Sequence, residues 1–219
     1  MNSFDRILLW LPQLLSGAKL TIIITILSVT IGLLLSVFLA LGKMSKITVI
    51  NKVCSAYIFF FRGTPLLMQI YFIYFGLPQF NPKLTIQSAF VAAMIAYTLN
   101  TAAYLAENIR AGIQSIDKGQ YEASKALGMT YAQTMRLIII PQTIRRLIPP
   151  VGNEFIMVLK DVSLVAIIGL SDLTKVTRAI SSSSATALVY IPAMIIYLII
   201  TAFFSFVFNK MEKKYSVYE

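Results

Sequence analysis

Glu154 and Asp161 are two acidic residues in an otherwise strongly apolar stretch, seven positions apart. On a helix that is two turns, which puts both carboxylates on one face roughly 10 Å apart along the axis. Lys160 adjoins them, and Arg62 lies in a second apolar stretch beside Gly63, Thr64 and Pro65. Two acids with a base nearby could hold a zwitterion that carries an extra positive charge. In that arrangement Glu154 and Asp161 engage the cationic groups, while Arg62, Lys160 and donors around Thr64 and Asn153 handle a carboxylate. The competing reading is structural: Lys160 or Arg62 neutralises Asp161 across the helix packing. Glu154 is the strongest functional candidate, because no basic residue stands three or four positions away to satisfy it locally. Gly63 and Pro65 predict a local helix break that frees backbone groups beside Arg62, or alternatively a simple packing kink. Asn100 and Tyr97, on a third apolar stretch, are candidates for the same cavity; for Asn100 a hydrogen bond between helices is the rival.

The elements that must position these residues are membrane helices. Of 219 residues 58% are hydrophobic and 13% charged, and the mean hydropathy is +0.77, too apolar for an average soluble domain. Five stretches reach the roughly 20 residues that a helix needs to cross about 30 Å of hydrocarbon: 20–42, 53–76, 84–106, 147–170 and 185–208. The first, third and fifth carry no charge. The expectation is an all-α, polytopic membrane protein of one domain, 1–219. Residues 3–16, with Trp10 and Pro12, are apolar but too short to span. They are expected to form an interfacial helix on the outer surface, since Asp5 stands where a signal peptide would be basic.

Five spans place the termini on opposite sides. Twelve Lys and Arg fall in the loop 43–52, the loop between the third and fourth spans, and the C-terminal tail; five fall on the other side. Positive residues stay inside, so the N-terminus is expected outside and the C-terminus and the long loop in the cytoplasm. Membrane orientation thus accounts for the net charge of +10 better than nucleic-acid binding does. With no His and only Cys54, His-type metal sites, Ser-His-Asp chemistry and intrachain disulfides are excluded. There is no Gly-rich phosphate loop ending in Gly-Lys-Ser/Thr, so no nucleotide cradle of that kind is encoded here.

The long cytoplasmic loop, about 107–146, contains a helical hairpin. Gly128 suits a left-handed stop, and Thr130 with Gln133 three residues on is a capping box for the next helix. Tyr131, Met135, Ile138 and Ile139 give that helix one apolar stripe, with Glu122, Lys125 and Arg136 left for an aqueous partner, and Pro141 ends or kinks it.

The spacing of Glu122-Ala123, Gly128, Ile138 and Ile140-Pro141 resembles the Glu-Ala-Ala loop of ABC importer permeases, with Ser124 in place of the second Ala and Ile140 in place of Leu. Residues 61–69, FRGTPLLMQ, resemble the second membrane segment of the branch that imports polar amino acids. Gly152-Asn153-Glu154 through Lys160-Asp161 and Ser163-Leu164 resemble the segment after that family's loop. The resemblance implies a type I permease fold in a prokaryotic inner or plasma membrane, and a substrate that is a polar amino acid. Asn-Glu at 153–154 resembles the permeases for basic ones. It also implies that Glu122, Ala123, Ser124, Gly128, Arg136 and Pro141 meet a cytoplasmic ABC ATPase dimer. ATP and magnesium would then belong to the ATPase, with no cofactor in this chain. A second permease subunit, an extracytoplasmic amino-acid-binding protein and surrounding lipid complete the expected partners. Two readings from other classes stand beside this one. A cation channel would use membrane acids but need no capped hairpin. An intramembrane acid dyad would need carboxylates closer than two turns. The nearer rival is the same transporter type with a neutral substrate such as glutamine.

Overall fold

Long runs of Leu, Ile and Ala with few breakers give long helices, and among the described residues the chain forms helices and no strands. The computed structural model describes residues 3–215. The helices are α1 (Ser3–Lys43), α2 (Thr48–Gly63), α3 (Leu66–Tyr71), α4 (Leu77–Phe80), α5 (Ala89–Gln114), α6 (Lys118–Ala126), α7 (Tyr131–Thr134), α8 (Ile140–Asp161), α9 (Leu173–Ser184) and α10 (Tyr190–Tyr215). Within α1, and in α5 and α10, the helices are long and apolar enough to cross a membrane; α2 with α3–α4 is a fourth candidate, bent by 104°. The stretch expected as the fourth span forms α8 and a 3-10 segment, Val162–Ile168. Its Pro149, Pro150 and three charged residues, Glu154, Lys160 and Asp161, set it apart from the apolar helices.

The interfacial helix expected over 3–16 is not a separate element. Those residues open a single 41-residue helix, Ser3–Lys43, that includes Pro12. At 1.5 Å per residue α1 is about 60 Å long, roughly twice the hydrocarbon thickness. Packing sustains its first part. Trp10, Leu11, Leu14 and Ala18 pack with Leu173 and Ile180 of α9, Val189 in the turn that follows, and Ala193 and Ile196 of α10. Gly17 allows this approach, since a Cβ there would lie 2.9 Å from the Asp172 carbonyl oxygen and from Leu173 Cα. The Leu173 N–H also donates to Thr21 Oγ1 at 3.3 Å.

Further along, α1 packs on α5 through small and hydroxyl-bearing residues. Thr25 and Ser28 bury their hydroxyls by donating to carbonyls four residues back, at 2.8 and 2.6 Å. Ala92, Ala93, Ala96, Ala102 and Ala103 of α5 are fully buried. Small side chains let helix backbones approach closely where apolar solvent supplies no driving force of its own.

The hairpin forms with two differences from expectation. Gly128 is left-handed (φ 74°), and Thr130 with Gln133 makes the complete capping box. However, α5 continues to Gln114 and the returning helix starts at Tyr131, so most of the segment 107–146 is helix. Nor does the helix stop at Pro141. Residues Met135–Ile139 wind as a π turn, and Pro141 falls in the first turn of α8, where a missing N–H does least harm. Met135, Ile138 and Ile139 pack inward with Ile109, Ile113 and Ile116, whereas Tyr131, expected on the same stripe, is exposed.

The break predicted at Gly63 and Pro65 is present, and its carbonyls are satisfied from outside the helix. Gln69 Nε2 donates to the carbonyls of Phe61 (3.0 Å) and Thr64 (3.1 Å) and to Thr64 Oγ1 (2.8 Å). Asn100 Nδ2, from α5, donates to the Phe61 carbonyl and to Gln69 Oε1, both at 3.0 Å. Replacing Gln69 by Leu therefore strands the Thr64 carbonyl and removes one of the two acceptors of Asn100 Nδ2, and should destabilise the protein by about 1–3 kcal/mol. A thermal unfolding midpoint in detergent equal to that of the native chain would show that the break is held otherwise. For the α1–α9 contact, Gly17→Ala overpacks backbone against backbone and is expected to cost about 1–3 kcal/mol. Leu9→Ala, at an exposed position of the same helix, should leave the midpoint nearly unchanged.

Candidate substrate cavity and coupling surface

Where α2 breaks, its end faces α8 across a cavity of about 350 Å³. Arg62, Gly63, Thr64 and Pro65 form one wall, Glu154, Met157 and Asp161 the other, and Asn100 and Tyr104 of α5 lie between them. Six of the nine residues singled out for binding in the sequence thus meet at one place: Arg62, Gly63, Thr64, Asn100, Glu154 and Asp161. The other three do not line this cavity. Asn153 and Lys160 each precede a cavity-lining acid by one position, about 100° around the helix; Asn153 is exposed where Glu154 is buried, and Lys160 and Asp161 are both exposed. Tyr97 is fully buried, and its hydroxyl donates to the Asp161 carbonyl at 2.6 Å. Tyr97 and Asn100 are therefore positioning groups in the first instance: one holds the α8 wall by its backbone, the other the α2 wall.

Glu154 is 8% exposed, and its carboxylate takes part in no hydrogen bond or ion pair among the described residues. The charges that act on it through space are those of Asp161 and Arg62. The Arg62 guanidinium carbon lies 5.3 Å from the centroid of the Tyr104 ring, a cation–π distance. The cavity therefore offers two acids and one base, none of them consumed by a close salt bridge. Such a site suits a small polar solute with both positive and negative groups, and holds nothing suited to bond-breaking chemistry. Among the described residues no cluster of three or more His, Cys, Asp or Glu suitable for a metal occurs.

Several residues here escaped the sequence reading. Tyr104 is seven positions from Tyr97 and four from Asn100, so helical spacing alone could have put it on the same face. Gln69 stood in the FRGTPLLMQ stretch, but nothing local marked it as the clasp of the break. Farther along, Glu107 bridges Lys43 at 2.8 Å and also pairs with Arg110, whose Nε donates to it at 3.0 Å.

The hairpin presents a second surface. Glu122, Ala123, Gly128, Arg136 and Pro141 are all exposed, while Ser124 is buried and donates to the Gln120 carbonyl at 2.6 Å. Arg146 of α8 donates to the Ser115 carbonyl and hydroxyl, tying the far end of the hairpin to α5.

Comparison with known proteins gives this geometry its setting. Residues 32–217 match the family described as binding-protein-dependent transport system inner membrane component. The glutamine transport system permease protein of Escherichia coli (strain K12) is 36% identical over 217 residues, covering 98% of this chain and 99% of that protein. The octopine transport system permease protein of Rhizobium radiobacter is 40% identical over 219 residues, covering 95% and 89%. A crystal structure of an amino acid ABC transporter with histidines superposes with a TM-score of 0.91 at 44% identity, covering 98% of this chain and 99% of that one. The chain belongs to the binding-protein-dependent transport system inner membrane components and is a permease of amino-acid ABC importers, a transport component and not an enzyme.

Proposed function

We propose that this permease carries basic L-amino acids such as arginine, lysine or histidine inward through the cavity between Arg62 and Glu154. The observation that carries the reading is the pair of acids, Glu154 and Asp161, lining that cavity with neither in an ion pair within 4 Å among the described residues. Burying an ionisable group in a membrane is costly unless a pathway or partner requires it. A substrate bearing two positive groups supplies what both acids lack, and Arg62 with Thr64 receives its carboxylate. The relative named for octopine and the structure with histidines favour the same direction. The relative named for glutamine favours a second reading, in which the substrate is neutral and Arg62 offsets one acid.

In this reading α8 and the bent α2–α4 pair complete five spans, with the N-terminus outside and the C-terminus in the cytoplasm. Lys118, Lys125, Arg136, Arg145 and Arg146 then face the cytoplasm. A pair of permease subunits encloses the path. Exposed Phe38, Leu198 and Phe206 meet lipid. A cytoplasmic ATPase dimer, which holds the ATP and magnesium, docks on Glu122, Ala123, Gly128, Arg136 and Pro141 and moves the hairpins together. A binding protein delivers the amino acid at the opposite end, near residues 77–83 and 171–184. The helices then alternate between outward- and inward-open arrangements.

ATP-driven uptake of labelled arginine and glutamine into proteoliposomes, with the cognate ATPase and binding protein, tests the reading. Glu154→Gln should lower arginine uptake about ten- to hundredfold while the complex still assembles, as expected for loss of a charge-assisted contact of about 1.5–3 kcal/mol. Unchanged arginine uptake would make Glu154 structural, and native uptake of glutamine without arginine would select the neutral substrate. For the docking surface, Ala123→Trp places bulk where two surfaces must meet closely. The ATPase copurifying with the permease should fall more than about tenfold; full retention with normal uptake would remove Ala123 from the interface.

A further inference from the structure

A second cavity, of about 320 Å³, adjoins the first and shares Arg62, Gly63 and Tyr104 with it. It lies between the C-terminal end of α1, α2 and α5, toward the end of the bundle that carries the hairpin, and Lys43 and Ser55 add its other polar groups. The sign of the charge reverses between the two cavities. The first has two acids and Arg62, whereas the charged residues lining the second, Lys43 and Arg62, are both cations. Arg62, stacked on Tyr104 at 5.3 Å, is the partition between them.

Lys43 is held at present by an internal carboxylate, Glu107, at 2.8 Å. Glu107 does not depend on it. Arg110, one helical turn away, pairs with the other Glu107 oxygen through Nε and a terminal nitrogen. If Lys43 turns to another carboxylate, Glu107 keeps a charge-assisted partner, so the exchange leaves no charge unpaired. That avoids the large penalty of stranding a partly buried ion.

The geometry points to the second cavity as an exit-side subsite that takes the α-carboxylate of the amino acid once it has left Glu154 and Asp161. Lys43 is its anchor, and Glu107 is the internal substitute that occupies Lys43 while the subsite is empty. The inference rests on the first cavity being the substrate cavity. It does not rest on the substrate being basic, because every α-amino acid carries this carboxylate. No bond is made or broken: one ion pair at Lys43 replaces another. Arg62, reached from both cavities, passes the carboxylate from one side of Tyr104 to the other.

The test uses the full complex in proteoliposomes, with labelled arginine and glutamine as probes. Lys43→Gln should lower the maximal uptake rate of the transported amino acid about tenfold, as for loss of one charge-assisted contact. KM should stay within about twofold, because initial capture occurs at Glu154. Lys43→Arg should restore most of the rate. Glu107→Gln frees Lys43 and should leave the rate at or above the native one. Equal losses in Lys43→Gln and Glu107→Gln would overturn the proposal, since a purely structural ion pair fails from either side; so would a native rate in Lys43→Gln. Glu154→Gln in the same assay reports on the first cavity separately: a native KM and rate there would sink that reading whatever Lys43 does.

Discussion

A helix that stops partway through a membrane leaves carbonyls with no N–H to meet, and in hydrocarbon each unmet group costs several kcal/mol. The arrangement of this permease depends on where those carbonyls go. At the α2–α3 break the Phe60 carbonyl receives the Thr64 N–H and hydroxyl, at 3.1 and 2.8 Å. The Phe61 and Thr64 carbonyls receive Gln69, and Asn100 joins from α5. Two amide side chains thus lock together three helical segments. The break is a pinned corner and not a loose hinge. Because it is pinned, Arg62 and Thr64 stand at a fixed place opposite Glu154 and Asp161.

The opposite wall is held by the same helix. On α5, Asn100 fixes the broken end of α2, Tyr97 fixes the end of α8 through the Asp161 carbonyl, and Tyr104 lies under Arg62. These three residues fall at i, i+3 and i+7, a single face. The other face of α5 packs on α1 through alanines and small hydroxyl residues, which leave little room for sliding. One helix therefore sets the width of the cavity. Its far end runs into Glu107, Arg110 and Gln114, and Ser115 just beyond is tied to Arg146 of α8. The end of the hairpin is thus joined to the element that spaces the walls through contacts and not merely through nearness.

Which parts were legible in the sequence follows from how local their causes are. The apolar runs of α5 and α10, the capping box at Thr130, the left-handed Gly128 and the break at Gly63–Pro65 are each decided within a few residues, and all were readable. Helix 3–43 was not, because its continuity through Pro12 depends on α9, more than 150 positions away, docking at Gly17. Passage through Pro141 depends on a π turn that no residue type announces. Within the candidate site, Glu154 and Asp161, two turns apart, line the same cavity. Asn153 and Lys160, adjacent to them in sequence but about 100° away around the helix, do not line it. The Lys43–Glu107 pair joins residues 64 apart, and only the packing of α1 on α5 brings it into being.

The side chains around the cavity divide into two groups with different obligations. Gln69, Asn100 and Tyr97 are bound to backbone carbonyls, so changing them disturbs the walls themselves. Glu154, Arg62 and the carboxylate of Asp161 hold no backbone group among the described residues. In the proposed reading their chemistry is free to answer to the solute, and substitution there would alter what the cavity prefers without unpinning the corner. Such a division lets one scaffold serve several amino acids. The relatives named for glutamine and for octopine, each alignable over nearly the whole of this chain, are what that division would produce. On the proposed function, specificity would lie in a few uncommitted charges set in a frame whose hydrogen bonds are already spent.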